Sequence, residues 1–216
     1  MQWNTIKNFI ISKIYWVLYA TLVVVVGIGV WAFLSARNAK TEQVALDALF
    51  KVQLEAKEKK LNFAQVKEQL ETVAKAHPKT RASFEALLNL GDQAVSAKDF
   101  DAAISAYTAA SEVKVDDFSH VLALYSLGIA QETKENCDAA VQNFDRGLKV
   151  KKAQFMRPEL LLAKARCLEQ LKRYAEADTI YQEMKTEFPE NTYYNGAASL
   201  FAADLKLKMS QGHATK

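Results

Sequence analysis

The sequence predicts an all-α protein in which an N-terminal membrane-spanning helix precedes an α-solenoid of stacked helical hairpins, closed by a C-terminal capping helix. Two observations carry this prediction. The first is an uncharged apolar segment from Ile14 to Leu34. The second is a motif with a period of 37 residues, in which an alanine is followed four positions later by an aromatic residue: Ala103 and Tyr107, Ala140 and Phe144, Ala177 and Tyr181. A fixed period of this length is typical of stacked repeats.

The segment from Ile14 to Leu34 contains no charged side chain. In a helix it spans roughly 31 Å, enough to cross a bilayer core of about 30 Å. A cleavable secretory signal is the alternative, but its apolar core would be shorter, at about 7–15 residues, and Leu34-Ser35-Ala36 has no small residue at the first cleavage position. The sequence therefore favours an uncleaved anchor after a short tail, residues 1–13. Aromatic residues suited to the headgroup zones flank it: Trp3, Tyr15, Trp16, Tyr19, Trp31 and Phe33.

The charges beside the anchor do not determine its orientation, because two basic residues precede it (Lys7, Lys13) and two follow it closely (Arg37, Lys40). A tail as short as residues 1–13 is more simply retained in the cytosol while the larger part of the chain is exported. We therefore expect a cytoplasmic N-terminus and a repeat domain on the other side of the membrane.

Composition limits the classes of function. The chain has 216 residues, and after the anchor 26 basic residues are balanced by 25 acidic ones, so no global positive charge indicates nucleic acid as a partner. Between Arg146 and Arg173 nine basic residues stand against only two acidic ones. A basic patch is one interpretation. We favour the other, a solvated surface whose charges are balanced by acids of neighbouring repeats.

The clearest repeat runs from Phe84 to Val115, with one apolar face on each of two helices. Gly91 in the first helix is small enough to admit a neighbouring helix, and the last repeat ends at Phe188-Pro189, where proline stops the helix. A degenerate first repeat precedes Pro78 and places Phe50 and Leu54 on its first helix. The apolar positions of the clearest repeat are Leu87, Leu90, Gly91 and Ala94, then Phe100, Ala103, Ile104, Tyr107 and Ala110.

Two further helical segments flank the repeats, which we assign to residues 61–191. Residues 35–60 contain no proline or glycine and favour a stalk that continues into the first repeat helix. Residues 192–210 form the predicted capping helix, and residues 211–216 are expected to be a frayed tail. The capping helix has one apolar face: Tyr194, Ala197, Ala198, Phe201, Ala202 and Leu205.

These repeats resemble the tetratricopeptide repeat (TPR) family, whose pattern combines Leu-Gly or Leu-Ala, a small alanine, an aromatic residue and a terminal proline. The chain departs from it in three ways: the opening tryptophan is absent, Lys164 replaces a leucine, and the period is longer than the usual value of about 34 residues. The resemblance implies a right-handed α-solenoid that binds proteins or extended peptides. The matching sets are Leu87, Leu90, Gly91, Phe100, Ala103, Tyr107 and Ala110; Leu124, Leu127, Gly128, Ala140, Phe144 and Gly147; and Leu161, Ala165, Tyr174, Ala177, Tyr181 and Pro189.

In that family the first helix of each repeat lines the inner surface, which implies a candidate binding site that we call the inner-face set. Chaperone-binding members grip a terminal carboxylate with lysines, asparagines and an arginine, and this chain has no such set. We expect an apolar or extended peptide instead. The alternative is that Leu88 and Leu122 only pack. The inner-face set is Glu85, Leu88, Asp92, Leu122, Tyr125, Ile129, Leu162, Arg166 and Glu169.

Cys137 and Cys167 are the only cysteines, and they lie too far apart along the chain to match the ligand spacing of a zinc site. Both fall at the same edge of the predicted stack and could be adjacent in space. A disulfide between them is feasible if the domain is exported, and two buried free thiols are the alternative.

The sequence does not indicate an enzyme. The three histidines are scattered, and no His-x-x-x-His pair, glycine-rich phosphate loop or Ser-His-Asp set occurs. We therefore expect no catalytic activity, no cofactor and no metal site.

One anchor, a stalk and about four hairpins resemble the bacterial ancillary Sec-translocon subunit family (YfgM-like). That resemblance implies a single-pass inner-membrane protein with periplasmic repeats, which associates with the translocon and with periplasmic chaperones or exported clients. One alternative is a repeat scaffold for envelope assembly or division with fixed protein partners. Another is a cytosolic repeat domain, as in organelle import receptors.

Overall fold

The computed structural model describes the backbone of residues 2–214 and the side chains of residues 13–210. Every regular element in this part of the chain is helical, which confirms the predicted all-α class. The chain divides into two compact units, residues 1–44 and residues 45–216. The α-helices are α1 (Gln2–Glu58), α2 (Phe63–Ala76), α3 (Arg81–Ser96), α4 (Phe100–Glu112), α5 (Asp117–Thr133), α6 (Cys137–Leu148), α7 (Arg157–Gln170), α8 (Tyr174–Glu187) and α9 (Thr192–Ala214), with a 3-10 helix at Lys151–Met156.

The first unit contains the apolar part of α1. Every side chain from residue 13 to residue 41 is exposed, including Trp16 and Trp31, each at 69%. This stretch has the length and composition of a membrane span, a property that signal sequences share. The side chains of residues 1–12, with Trp3 and most of the predicted N-terminal tail, and those of residues 211–216, the predicted frayed tail, lie outside the described residues.

The second unit is a stack of helical hairpins. From α2 to α9 each helix packs against the next one along the chain, so that α3 with α4, α5 with α6, and α7 with α8 form successive hairpins. The first helices also contact one another across repeats, α3 with α5 and α5 with α7. This regular rise from repeat to repeat is the solenoid that the repeat period predicts.

The first repeat pairs the end of α1 with α2, but with a different packed side from the one the sequence suggested. Phe50 and Leu54 lie on α1 and are exposed, at 66% and 44%. The packed side is formed by Ala45 and Leu49, which share a buried cluster with Leu70 of α2. Phe50 follows Leu49 by one residue, and one residue turns about 100° around a helix. Phe50 and Leu54 therefore lie on the first helix of this repeat, as predicted, but on the side that faces away from its packing contacts.

The turns inside the hairpins share one backbone conformation. Lys98, Glu135 and Lys172, which are one repeat period apart, have φ values of 60°, 61° and 60°, in the left-handed region. Lys60 has the same role in the first repeat, with φ of 49°. Residues with a Cβ adopt this conformation at a cost of about 1–2 kcal/mol. It recurs here because it lets the chain reverse immediately after the first helix of each hairpin.

Backbone and side-chain hydrogen bonds complete these turns. The N–H that follows the left-handed residue donates to the carbonyl five residues earlier, as from Asp99 to Ala94 at 2.8 Å. The Asp99 carboxylate then accepts from the N–H of Ala102 at 3.0 Å and caps the start of α4. Asn136 makes both interactions in the next repeat: its N–H donates to the carbonyl of Gln131, and its side chain caps the start of α6 by accepting from the N–H of Ala139. In these two repeats the turn therefore ends one helix and begins the next, whereas the turn at Lys172 keeps the backbone bond, from Arg173 to Leu168 at 2.8 Å, without a side-chain cap.

Close contacts between a glycine and an aromatic ring hold the two helices of a hairpin together. A Cβ on Gly91 would collide with the ring of Tyr107, and a Cβ on Gly128 would collide with the ring of Phe144. Both rings are buried, at 4% and 0% exposure. The glycine in the first helix is thus the hole that receives the aromatic residue of the second, as the sequence predicted for Gly91.

The last helix, α9, covers the end of the stack through its predicted apolar face. Ala198, Ala202 and Leu205 are buried there. The ring of Phe201 stacks on Tyr181 of α8 with 5.9 Å between the centroids. The opposite side of α9 remains exposed.

Candidate protein-binding surface

The inner-face set lies on three first helices, α3, α5 and α7, where the repeat pattern places it. Its members fall into three groups in the structure: apolar side chains that are half-buried or buried, carboxylates held by a tyrosine or an arginine, and an arginine held by a glutamate. The partners of each residue decide what it can offer to a bound peptide.

Leu88 and Leu122 come together although they lie on different repeats. Both are half-buried and pack against one buried cluster that contains Phe84 and Val113. They therefore contribute to the contact between the second and third repeats. Their exposed parts form a short apolar strip on the surface between α3 and α5.

Tyr125, Ile129 and Leu162 continue this apolar strip toward α7. Tyr125 and Ile129 are half-buried, and Leu162 is 9% exposed; all three belong to the large cluster of the third and fourth repeats. The Tyr125 ring lies 6.2 Å from the ring of Phe144, between centroids. Burial raises the pKa of the Tyr125 hydroxyl. Tyr125 is therefore a neutral group that can pack against a partner and still offer a hydrogen bond.

Asp92 is exposed and accepts a hydrogen bond of 2.6 Å from the hydroxyl of Tyr107 in α4. Burial and this carboxylate together raise the pKa of Tyr107, so the tyrosine remains a donor. The same arrangement recurs two repeats later, where Tyr181 donates to Glu169 at 2.6 Å. Glu85 pairs with Arg81 one turn earlier in α3, at 3.0 Å.

Arg166 is already engaged by another repeat. Its Nε and one terminal nitrogen donate to the two carboxylate oxygens of Glu132 in α5, at 3.0 and 2.9 Å. These hydrogen bonds raise the pKa of Arg166. An acidic group of a partner would have to compete with Glu132 for this guanidinium, so Arg166 is poorly placed as a carboxylate clamp.

Sequence reasoning missed a second part of this surface, which we call the amide cleft. It is a cavity of about 300 Å³ between the first helices of the first two repeats, α1 and α3. Its floor is apolar and includes the buried Leu70. The residues that line it are Val52, Gln53, Ala56, Lys57, Leu61, Val66, Leu70, Asn89 and Gln93.

The polar side chains of the amide cleft lie in two short rows. Gln53 and Lys57 are four residues apart on α1, and Asn89 and Gln93 are four residues apart on α3, so each pair projects from one side of its helix. Gln53 precedes Asn89, and Lys57 precedes Gln93, by an interval one residue shorter than the repeat period of 37. Amide groups both donate and accept hydrogen bonds, which matches the alternating N–H and C=O groups of an extended peptide.

The two cysteines are neighbours in space, as their positions in the repeats suggested. Both are buried free thiols that interact with each other, and Cys137 donates to the Gln170 side chain at 3.0 Å. Burial raises the pKa of both thiols. The contact joins the second helix of the third repeat to the first helix of the fourth.

The basic segment between residues 146 and 173 is largely matched by acids from neighbouring elements, which agrees with the interpretation we favoured. Arg157 at the start of α7 donates to Glu187 at 2.7 Å and also to Glu183, both in α8. Lys164 pairs with Asp145 of α6 at 2.7 Å. The other described pairs are Lys152 with Asp117, Arg166 with Glu132, and Arg173 with Glu176.

One solved structure shares the fold of this chain, and a second shows weaker similarity. The crystal structure of MamA protein matches with a TM-score of 0.54 and 19% sequence identity, over 78% of this chain and 84% of that chain. A structure of pilF from Pseudomonas aeruginosa has a TM-score of 0.43 and 16% identity, over 81% of this chain and 95% of that chain. A search of curated proteins gave no match.

The sequence itself matches a family over three overlapping stretches, residues 56–116, 88–149 and 125–192. Together these stretches cover more than half of the chain, from the end of α1 to the start of α9. The family is described as tetratricopeptide repeat, and its members generally serve as scaffolds that bind other proteins. With these repeats, the chain belongs to the tetratricopeptide repeat family.

Proposed function

We propose that this protein is a membrane-anchored TPR docking module at the periplasmic face of the bacterial inner membrane. It binds extended segments of exported proteins or of periplasmic chaperones beside the Sec translocon. The observation that carries the proposal is the amide cleft, with polar amides above an apolar floor and the apolar strip of the inner-face set on the following repeats. No chemical step is required of such a site, because its function is to hold a partner.

The chemistry of the amide cleft fits an extended chain. A peptide laid along α3 would pass Gln93 and Asn89 in the cleft and then reach Leu88 and Leu122. The amides would bond its backbone, and the apolar residues would receive its side chains. Backbone recognition is independent of sequence, so a site of this kind accepts many clients.

The apolar part of α1 supports a location at a membrane. Exposed side chains between Ile14 and Leu34 need an apolar environment, and the length of this stretch matches a bilayer. Tethering raises the effective concentration of the repeats beside a membrane channel, so weak contacts with clients are enough. We assign the short N-terminal tail to the cytosol and the repeats to the periplasm.

Site-specific photocrosslinking in membranes tests the proposed partners. A photoreactive amino acid replaces Gln93 in the amide cleft of the full chain, and in a control replaces Ser105, an exposed residue of α4. We expect translocon components and diverse exported proteins to crosslink at position 93 and not at position 105. A single constant envelope protein at position 93 would support the scaffold alternative. Equal products at both positions would contradict a role for the cleft.

Protease accessibility tests the orientation. Protease added outside the cytoplasmic membrane of cells with an opened outer envelope should digest the repeats. Survival of the repeats under these conditions, with digestion only after the inner membrane is broken, would place them in the cytosol and contradict the proposal.

A further inference from the structure

The last helix carries an apolar stripe that nothing in the described part of the chain covers. It consists of large residues alternating with small ones at helical spacing. Tyr193, Leu200 and Leu207 are 70%, 67% and 61% exposed. Gly196 and Ala203 lie between them and are also exposed. We call these five residues the α9 stripe.

The α9 stripe lies on the side of the helix away from the stack. At about 100° per residue, Leu200 and Leu207 are about 180° from the centre of the packed face at Ala198 and Leu205. Within the described residues no helix packs on this side, and solvent exposure of three large apolar side chains in a row is unfavourable.

We propose that the α9 stripe is a homodimer interface, in which it packs antiparallel against the α9 stripe of a second copy. The alternation of large and small residues is self-complementary if the twofold axis crosses the exposed side of α9 at a height along the helix midway between residues 201 and 202. Leu207 then faces Gly196 of the other copy, and Leu200 faces Ala203. Each large side chain enters the space above a small one, which is how helices reach close packing.

Charge favours the antiparallel direction. Glu190, just before α9, and Lys206, near its end, are exposed, whereas Glu187 is already paired with Arg157 and Lys208 with Glu169 and Asp204. An antiparallel pair brings Glu190 of one copy toward Lys206 of the other, where unlike charges attract. It also aligns the two helix dipoles favourably. A parallel pair would place like charges side by side.

The size of the stripe sets the expected strength of the dimer. One pair of helices with three large residues on each side buries an area near or below the lower limit of about 1,200 Å² for stable interfaces. The dimer should therefore be reversible and concentration-dependent. Anchoring both copies in one membrane would strengthen it by raising their effective concentration.

Crosslinking between single cysteines tests the geometry. Tyr193, Leu200, Ala203 and Leu207 are replaced one at a time by cysteine in the full chain in membranes, which are treated with a short thiol-to-thiol crosslinker. At about 1.5 Å per residue, the two copies of position 200 or 203 are offset by about 4.5 Å along the axis, and those of position 207 by about 16 Å. We expect strong dimer bands for L200C and A203C and weak bands for Y193C and L207C.

Two controls and three opposing outcomes make the crosslinking decisive. The unmodified chain reports the background from the buried Cys137 and Cys167, and S105C reports random collision in the membrane. Equal yields at all four stripe positions would indicate a parallel pair and overturn the proposal. So would yields no higher than those of S105C, or crosslinks to a different protein only.

A second measurement uses the association of the purified full chain. Leu200→Asp should shift the monomer–dimer midpoint at least tenfold toward the monomer, while the circular dichroism of the dilute protein stays unchanged, because residue 200 is exposed. The matched control is Leu54→Asp, an exposed leucine on α1 outside the stripe. Dimerisation of Leu200→Asp at the concentration of the unmodified chain would refute the interface.

Discussion

Arg166 of the fourth repeat holds Glu132 of the third repeat through two hydrogen bonds, at 3.0 and 2.9 Å. The side chain of Glu132 is only 12% exposed and that of Arg166 is 37% exposed, so the pair is partly shielded from water. Two parallel bonds fix both distance and direction between α5 and α7. The inner surface of the solenoid is therefore also part of its internal scaffold, and the roles of its residues can be separated by mutation.

Removing Arg166 should destabilise the stack because it leaves the Glu132 carboxylate without its partner. We expect Arg166→Met to lower the free energy of unfolding by about 1–3 kcal/mol. Adding Glu132→Gln should recover part of that loss, since the amide carries no charge. Urea unfolding of both single variants and the double variant gives the coupling energy. Strictly additive losses would mean that the two residues act independently.

Gly128 should not tolerate a methyl group, because a Cβ there would overlap the buried ring of Phe144. Gly128→Ala is expected to cost about 1–3 kcal/mol through forced displacement of the ring. Gly196→Ala on α9 is the control, since no atom lies within 4 Å of its added Cβ. Alanine there should stabilise the dilute monomer by up to about 1 kcal/mol. Equal effects on the thermal midpoint would contradict the packing described.

Asp116 should make the free energy of unfolding fall at acidic pH. The backbone N–H of Ser119 donates to its carboxylate at 2.8 Å and holds its pKa below the ordinary value of 3.8. The unfolded chain therefore takes up this proton first, so the stabilisation is present above pH 3.8 and is lost as the pH falls through the lowered native pKa.

Asp116→Asn tests this dependence, because the amide oxygen can cap α5 but does not titrate. The difference in thermal midpoint between the unmodified chain and this variant should change between pH 7 and pH 3, with the unmodified chain losing more. A pH-independent difference for Asp116→Asn would be evidence against the capping role.

The paired thiols of Cys137 and Cys167 should react slowly in the folded, reduced protein. Both are buried and both have raised pKa values, so little thiolate is present at pH 8. A chromogenic thiol reagent should detect neither group in the native state and two after unfolding in denaturant. A rapid native reaction would contradict the burial. Fewer than two thiols in unfolded, unreduced protein from cells would show that a disulfide forms there.

The repeats could be predicted from the sequence because their packing rule is local and recurs. Gly91 precedes Tyr107 by the same interval at which Gly128 precedes Phe144, so a single spacing encodes the hairpin. The buried face of α9 followed from ordinary helical periodicity. The adjacency of Cys137 and Cys167 followed from their places in consecutive repeats.

The amide cleft and the first repeat could not be predicted in the same way. The end of α1 has no Leu-Gly pair or alanine–aromatic spacing, so its sequence points to Phe50 and Leu54 although Leu49 is the packed residue. Without the register of α1 in the first repeat, its polar pair, Gln53 and Lys57, could not be aligned with Asn89 and Gln93 of α3. A signal existed in the spacing from Gln53 to Asn89, which is close to the repeat period, but it is meaningful only once α1 is known to pack beside α3.

Because the left-handed residues Lys98, Glu135 and Lys172 are separate from both the inner face and the core, they allow one hairpin to be weakened without altering either surface. A β-branched residue at any of these turns would be strained there and would penalise only the hairpin that contains it. In a one-dimensional stack, the weakest hairpin decides where unravelling starts. Substitutions at these turns can thus set the order in which the repeats unfold.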